Sequence, residues 1–198
     1  MMGIAKSKRQ VGIVLVDSDV VIDWEMAWNK DKNSLGITLD VVHSYIFGML
    51  GLDFRIWIPY YVEKELRKKG EKFLSYLYKL PQVQKCCLKN NEESIVFFGM
   101  GFTKGSRNFG ELDALLQLKR MFEGDIWRLK KCKKHFTLKK PSLDIYFYFL
   151  TADKKFLSFL NKNKEQYGRI VEKVVLWNDV IRHNSLIRGI YAHRHRLL

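Results

Sequence analysis

The chain is short of cysteine and proline, and both shortages narrow the class of protein it belongs to. It holds three cysteines in 198 residues, Cys86, Cys87 and Cys132, an odd number without C-x-x-C spacing. A disulfide framework or a zinc site is therefore not expected, and a reducing cytoplasm fits this cysteine usage. Only three prolines are present, and no Pro-rich or Gly/Ser-rich stretch marks a linker between domains.

Long apolar runs are also missing. Charged residues interrupt every apolar run well before the ~18 residues that a membrane-spanning helix requires. The first residues combine basic side chains with the run VGIVLV, but this run is short and ends at Asp17, so we do not expect a signal peptide. The sequence therefore predicts a cytoplasmic protein that does not cross a membrane.

Acidic residues are outnumbered by basic ones. Lys and Arg total 35 and Asp and Glu total 21, which gives a net charge of +14. A field of this sign favours a polyanionic partner such as nucleic acid, an acidic protein or an anionic membrane surface, although solubility alone is an alternative explanation. Hydrophobic residues make up 47% of the chain and aromatic residues 14%, so a packed core is expected.

Short β-branched or aromatic runs alternate with amphipathic stretches. We predict strands at Val11–Val16, Phe54–Ile58, Ser94–Phe98, Ile145–Leu150 and Lys173–Trp177. Helices are predicted after the first strand and at Thr38–Leu50, Tyr61–Lys68, Lys72–Leu80, Glu111–Phe122, Asp153–Leu160 and Asp179–Ile187. Strands that alternate with helices predict an α/β sandwich around a central parallel sheet of about five strands.

Carboxylates follow several of these strands or open the helix that comes next. Asp17 and Asp19 follow VGIVLV, Glu65 lies in IWIPYYVEKEL, Asp113 in FGELDALLQL and Asp153 in FYFLTADKKF. Parallel sheets place functional groups at the carboxyl ends of their strands, so we expect these acids to meet. Gathered carboxylates need positive charge, which Mg²⁺ or Mn²⁺ supplies through oxygen ligands. In a strongly basic protein, such a site indicates hydrolysis of phosphodiester bonds.

Each acid also has a purely structural explanation. Asp17, Asp19 and Asp153 follow strands and precede helices, where an acid serves as a helix N-cap or as an exposed polar residue. Glu65 lies on a charged, solvated helix face, and Asp113 lies near a helix start, where the helix dipole favours an acid. The hypothesis of a shared site therefore depends on the order and context of the acids taken together.

Four segments together resemble the PIN-domain ribonuclease family, which includes VapC-type toxins. They are VLVDSDVVID, IPYYVEKEL, GELDALLQL and FLTADKKFL, in the order that the family has them and reaching to about Phe156. The resemblance implies a three-layer α/β/α sandwich. It also implies that Asp17, Asp113 and Asp153 bind Mg²⁺ or Mn²⁺, and that Glu65 completes a catalytic quartet, directly or through water.

The same resemblance assigns neighbouring residues to the site. Asp19 and Thr151 would be supporting groups. Glu111 is an ambiguous neighbour of Asp113, because two residues that lie two positions apart on a helix face different ways. We favour Asp113 as the ligand because Ala114 follows it, as in the family pattern.

The implied function is that of a metal-dependent endoribonuclease, with single-stranded or looped RNA as the expected substrate. If the analogy with toxins holds, a partly acidic antitoxin is a partner, and homodimers are common in the family. We expect a single domain over residues 1–198, with a basic insertion at about 123–142 and an extension after about 178. The insertion is expected to follow an RNA backbone through Lys130, Lys131, Lys133, Lys134, Lys139 and Lys140.

Two other functions stay open. DSDVVI resembles the strand-end motif of haloacid-dehalogenase-type phosphatases, in which the first Asp is the nucleophile and the second an acid or base. That interpretation leaves Glu65 and Asp113 without a role. The other alternative is a non-catalytic PIN-like module that only binds RNA. His193 and His195, close to the last residue, are interpreted as positive surface rather than as metal ligands.

Overall fold

Five parallel strands form the centre of the fold. The structure is a computed structural model that describes residues 9–48, 50, 52–86, 88–98, 109–123 and 143–192. The strands are β1 (Arg9–Val16), β2 (Asp53–Ile58), β3 (Val83–Lys85), β4 (Leu143–Thr151) and β5 (Val174–Leu176). They lie in the order β3-β2-β1-β4-β5, and every neighbouring pair is parallel. The predicted α/β fold with a parallel sheet of about five strands is confirmed.

Helices connect the strands. They are α1 (Ser18–Lys30), α2 (Ser34–Phe47), α3 (Tyr60–Lys69), α4 (Lys72–Leu77), α5 (Glu92–Phe98), α6 (Phe109–Phe122), α7 (Lys154–Lys162), α8 (Lys164–Tyr167), α9 (Trp177–His183) and α10 (Ser185–Ile190). A 3₁₀ helix, Gly168–Lys173, leads into β5. Within the described ranges, no helix combines the length and the apolar character needed to cross a membrane.

Two hydrophobic cores lie on opposite faces of the sheet. Successive side chains of a strand point to opposite faces, and β1 shows this directly. Ile13 and Leu15 pack in one core with α6 and α7, whereas Val14 and Val16 pack in the other with α1, α2 and α9. All four of these side chains are fully buried. Helices therefore cover both faces, which makes three layers, as buried parallel sheets require.

The segment Ser94–Phe98, which we predicted as a strand, belongs to helix α5. The side-chain oxygen of Asn91 accepts the N–H of Ser94 at 2.8 Å, and two acidic residues stand in the first turn. Ile95 is the buried residue of this helix, while Phe97 is 76% exposed. The apolar run thus does not enter the sheet, and the strand we missed is the three-residue β3. The predicted helix Asp179–Ile187 is also corrected, because it divides into α9 and α10.

The order of the strands reverses beside β1. The chain passes from β1 to β2 on one side of it, and β4 pairs with β1 on the other side. The pairing of β1 with β4 ends at Val16 and Leu150, and the N–H of Asp17 donates to the carbonyl of Leu150 at 3.1 Å. In open α/β sheets, ligands bind beyond the carboxyl ends of the strands at such a reversal. Any site of this kind would lie around Asp17.

Candidate active site

Asp17 joins the ends of the two central strands. It caps α1, because its Oδ1 accepts the N–H of Val20 at 2.8 Å, while its Oδ2 accepts the N–H of Ala152 at 2.8 Å. Burial raises the pKa of Asp17 to about 6, against the effect of these bonds and of a hydrogen bond with Thr151. The charge of Asp19 contributes to this rise. The carboxylate is therefore fixed in place and gains a proton more readily than an exposed one.

Glu65 approaches the same edge of the sheet from α3 and is half-buried. Burial raises its pKa, while hydrogen bonds from the Ser18 hydroxyl and the Gly110 N–H and the charge of Lys69 act in the opposite direction. The start of α6 comes very close, since a Cβ at position 110 would lie 3.1 Å from Oε2 of Glu65. The absence of a side chain at Gly110 thus lets α6 approach Glu65.

Glu111 lies next to this contact, in the first turn of α6. Burial raises the pKa of Glu111 to about 8, and the charges of Asp17, Glu65 and Asp153 each add to the rise. The three acids come from α3 and from the ends of β1 and β4, so three parts of the sequence converge on Glu111. We call Asp17, Glu65, Glu111 and Asp153 the acid cluster.

Asp153 completes the acid cluster and also serves as the N-cap of α7. Its Oδ1 accepts the N–H groups of Lys155 and Phe156 at 2.7 and 3.0 Å. The N–H of Asp153 donates to the hydroxyl oxygen of Thr151 at 3.1 Å. Thr151 is fully buried and also bonds to Asp17, so it links the two aspartates as a supporting group.

Asp113 does not face the acid cluster. It is fully buried, its Oδ2 accepts the N–H of Tyr61 at 3.1 Å, and its Oδ1 accepts side-chain amides of Asn90 and Gln117 at 2.8 Å each. On an α-helix, two positions correspond to a rotation of about 200°, so Asp113 and Glu111 point apart. Our preference for Asp113 over Glu111 is therefore corrected: the structure brings Glu111 to the other acids and makes Asp113 a brace between α3 and α6.

Asp19 lies at the margin of the acid cluster. Its side chain is exposed, and its charge raises the pKa values of both Asp17 and Glu65. Its role as a supporting residue stays a prediction. Sequence reasoning missed two contributors, Ser18 and Gly110, although DSD and FGE place a hydroxyl and a glycine directly beside predicted site acids.

The donor set of the acid cluster fits a hard divalent cation in chemistry, since every side chain offers oxygen. In the part of the chain that the structure describes, no three His, Cys, Asp or Glu side chains are arranged so that they could hold a metal ion as they stand. Hydrogen bonds explain part of this arrangement, because Asp17 uses both oxygens and Asp153 one oxygen to accept backbone N–H groups. Oδ2 of Asp153 accepts none of these bonds, and the carboxylate of Asp17 has four lone pairs for its three hydrogen bonds, so capacity for a cation remains.

Several predicted residues lie outside the described part of the chain. They are the lysines of the basic insertion (Lys130, Lys131, Lys133, Lys134, Lys139 and Lys140) and the two histidines His193 and His195.

Comparison with protein-family models, curated proteins and solved structures finds no match to this chain. The resemblance to PIN domains therefore stays a prediction from the four sequence segments.

Proposed function

We propose that this chain is a metal-dependent ribonuclease with a PIN-like site, in which the acid cluster holds Mg²⁺ or Mn²⁺. The observation that carries the proposal is the convergence of three acids on Glu111, at the carboxyl ends of the central strands. Asp17, Glu65 and Asp153 each raise the pKa of Glu111, and they do so at the reversal of strand order, where open α/β sheets bind ligands.

The residues that would hold the ion are Asp17, Glu111 and Asp153, with Glu65 directly or through water. Repulsion among these acids is relieved by a divalent cation, and Lys69 is the basic residue whose charge acts on Glu65. A bound ion of this kind supplies an activated water near neutral pH and stabilises the charge on the leaving oxygen.

The side chains around the acid cluster prepare it for such a role. Thr151 and the N–H of Ala152 hold Asp17 in one orientation. Glu111, whose pKa is raised to about 8, keeps its proton at neutral pH, so a cation held by this carboxylate would have to displace that proton. Ligand binding at Glu111 therefore competes with protonation, and activity should rise with pH between about 6 and 8.

The substrate follows from the charge of the protein. A net charge of +14 attracts a polyanion, and a carboxylate cluster without a cation would repel one. RNA, rather than DNA, follows from the resemblance to PIN-domain ribonucleases. An unpaired strand can be bent into a recessed site more easily than a duplex.

The grouping of the acids favours the nuclease over the two alternative functions. A haloacid-dehalogenase-type phosphatase would use Asp17 and Asp19 and would give Glu65 and Glu111 no role, so the cluster favours the nuclease. A module that only binds RNA would not need three acids whose charges raise the pKa of a fourth, Glu111. Whether the protein acts as a toxin with an antitoxin, or as a homodimer, remains a prediction from the resemblance.

The test is cleavage of an end-labelled, single-stranded RNA in Mn²⁺ by the wild type and by Glu111→Gln. We expect cleavage by the wild type, its loss in EDTA, and a loss of at least about a hundredfold in Glu111→Gln, since one ligand of the ion is removed. Glu165→Gln, an exposed glutamate on α8, is the matched control and should cleave normally. Cleavage that resists EDTA, or that Glu111→Gln retains in full, would refute the proposal. Sequencing the 5′ ends produced by the wild type but not by Asp17→Asn would then identify the target.

A further inference from the structure

A groove lies between α3 and the edge strand β3. Its volume is about 980 Å³, and Ile58, Val83 and Leu88 contribute apolar parts of its lining. One strand, β2, separates β3 from β1, so the two inter-strand spacings place β3 about 10 Å from β1. We call it the α3–β3 groove.

Five basic side chains line the α3–β3 groove. They are Lys64, Arg67, Lys68, Lys85 and Lys89. The acid in the lining is Glu63, whose Oε1 lies 2.8 Å from Arg67 and 2.7 Å from Lys85. Burial alone would raise the pKa of Glu63, but the hydrogen bonds and charges of Lys85 and Arg67 lower it. Glu63 therefore acts as an anchor for two cations, and the groove keeps a positive excess.

Two of the lysines are available for a ligand. Lys68 and Lys89 are exposed, and within the described ranges neither forms an ion pair. Lys64, by contrast, lies 3.9 Å from Glu92. Free lysines along a groove suit a run of phosphates, which attracts them electrostatically and releases counterions on binding.

Aromatic side chains stand among these cations. Tyr60 is 38% exposed, and Nζ of Lys89 lies 4.2 Å from the centre of its ring. Tyr78 also lines the groove, with Nζ of Lys85 5.2 Å from its ring. Alternating cations and aromatic rings are the combination that binds single-stranded nucleic acid, because cations meet phosphates while rings stack on bases. An acidic protein segment would need the cations but not the rings.

Helix α3 connects the groove with the acid cluster. Relative to Glu65, Lys64 is rotated by about 100° and Lys68 by about 60° around the helix, so the surface that carries these two lysines adjoins the surface that carries Glu65. We propose that the α3–β3 groove binds a single-stranded stretch of RNA that continues from the acid cluster. That this strand is a substrate rests on the nuclease function proposed above, whereas binding in the groove can be measured without any cleavage.

The probe is a fluorescein-labelled, single-stranded oligouridine of about 12 nucleotides, within the range of site sizes seen for such grooves. Its fluorescence anisotropy is followed in EDTA, over a series of salt concentrations. The double variant Lys68→Gln/Lys89→Gln removes two groove charges. Its matched control, Lys30→Gln/Lys162→Gln, removes two exposed charges at the ends of α1 and α7, and neither residue lines the groove.

We expect the groove double variant to bind more weakly and to lower the slope of log affinity against log salt by about 1.4, since each phosphate contact to a single strand contributes about 0.7. The control pair should keep the slope of the wild type. Tyr60→Ala should weaken binding by roughly fivefold to a hundredfold, the range of one stacked base, without changing the slope. Tyr60→Phe should bind like the wild type, and circular dichroism checks that each variant is folded.

Three results would overturn the inference. They are equal losses in the groove pair and the control pair, no RNA binding by the wild type, or polyglutamate binding that competes with RNA and does not depend on Tyr60. Failure of the nuclease proposal would look different: RNA would bind in the groove with the expected salt dependence, but Mn²⁺ would not produce cleavage.

Discussion

Replacing Glu111 by glutamine should stabilise the folded protein at alkaline pH while it removes activity. In the unfolded chain Glu111 ionises near its ordinary pKa of 4.5, whereas in the folded protein it keeps its proton up to about pH 8. The unfolded state therefore binds fewer protons between these values, and stability falls as the pH rises through this window. Above about pH 8 the penalty is complete. Glutamine cannot ionise, so the variant avoids this penalty.

The size of the effect follows from the same rise in pKa. A change from 4.5 to about 8 corresponds to about 5 kcal/mol between the two protonation states, at about 1.36 kcal/mol for each tenfold change in acid dissociation. Glu111 is partly exposed, and it shares its repulsion with three other acids. Solvent screening and this sharing reduce the expected gain in the free energy of unfolding to about 2 kcal/mol at pH 9.

Urea denaturation in EDTA, followed by tryptophan fluorescence, measures this gain. At about pH 5 the variant and the wild type should differ by less than about 1 kcal/mol, and the difference should grow to about 2 kcal/mol at about pH 9. Glu165→Gln should show no such growth. A Glu111→Gln protein that is no more stable than the wild type at pH 9, or whose advantage does not change with pH, would refute the idea that repulsion is concentrated at Glu111.

Three further substitutions test the packing around the site. Gly12→Ala places a Cβ 2.6 Å from the Phe47 ring and should lower the free energy of unfolding by about 1–3 kcal/mol, seen as a lower urea midpoint; an unchanged midpoint would contradict this. Gly110→Ala places a Cβ 3.1 Å from Oε2 of Glu65, so RNA cleavage should fall by at least about tenfold with little change in circular dichroism, and full activity would argue against a role for that contact. Asp113→Asn leaves one of three donors facing an amide N–H and should cost about 1–3 kcal/mol of stability, whereas a variant as stable as the wild type would show that the brace is dispensable.

The sequence was most informative where a segment is long and buried on both faces. The strands β1, β2 and β4 are continuous β-branched or aromatic runs, and each lies within a residue or two of its predicted bounds. The three-residue β3 carries too little pattern to be recognised. Ser94–Phe98 is apolar in composition, but Val96 and Phe97 point outward on a helix, and their exposure depends on packing that local sequence does not reveal.

The candidate site, like the fold, could be predicted from the sequence only in part. Asp17 and Asp153 could be located because they follow the ends of predicted strands. Each of them caps a helix, as the structural explanation predicts, and each also belongs to the acid cluster. The choice between Glu111 and Asp113 depends on how α6 is rotated against α3. That rotation is fixed by the close approach of Gly110 to Glu65 and by the bond from Tyr61 to Asp113, contacts between residues far apart in the chain. One signal in the sequence for a buried Asp113 was Gln117, which follows it by one helical turn and donates a hydrogen bond to its carboxylate.

The most direct test of the central claim is calorimetric titration of Mn²⁺ into the wild type and into Glu111→Gln at about pH 7.5. If the acid cluster holds a divalent ion, the wild type binds Mn²⁺ and its melting temperature rises, because the ion binds the folded form alone. Glu111→Gln should bind at least about tenfold more weakly despite being the more stable protein, since it lacks one oxygen ligand. A wild type that binds no Mn²⁺, or a variant that binds it equally well, would contradict the account.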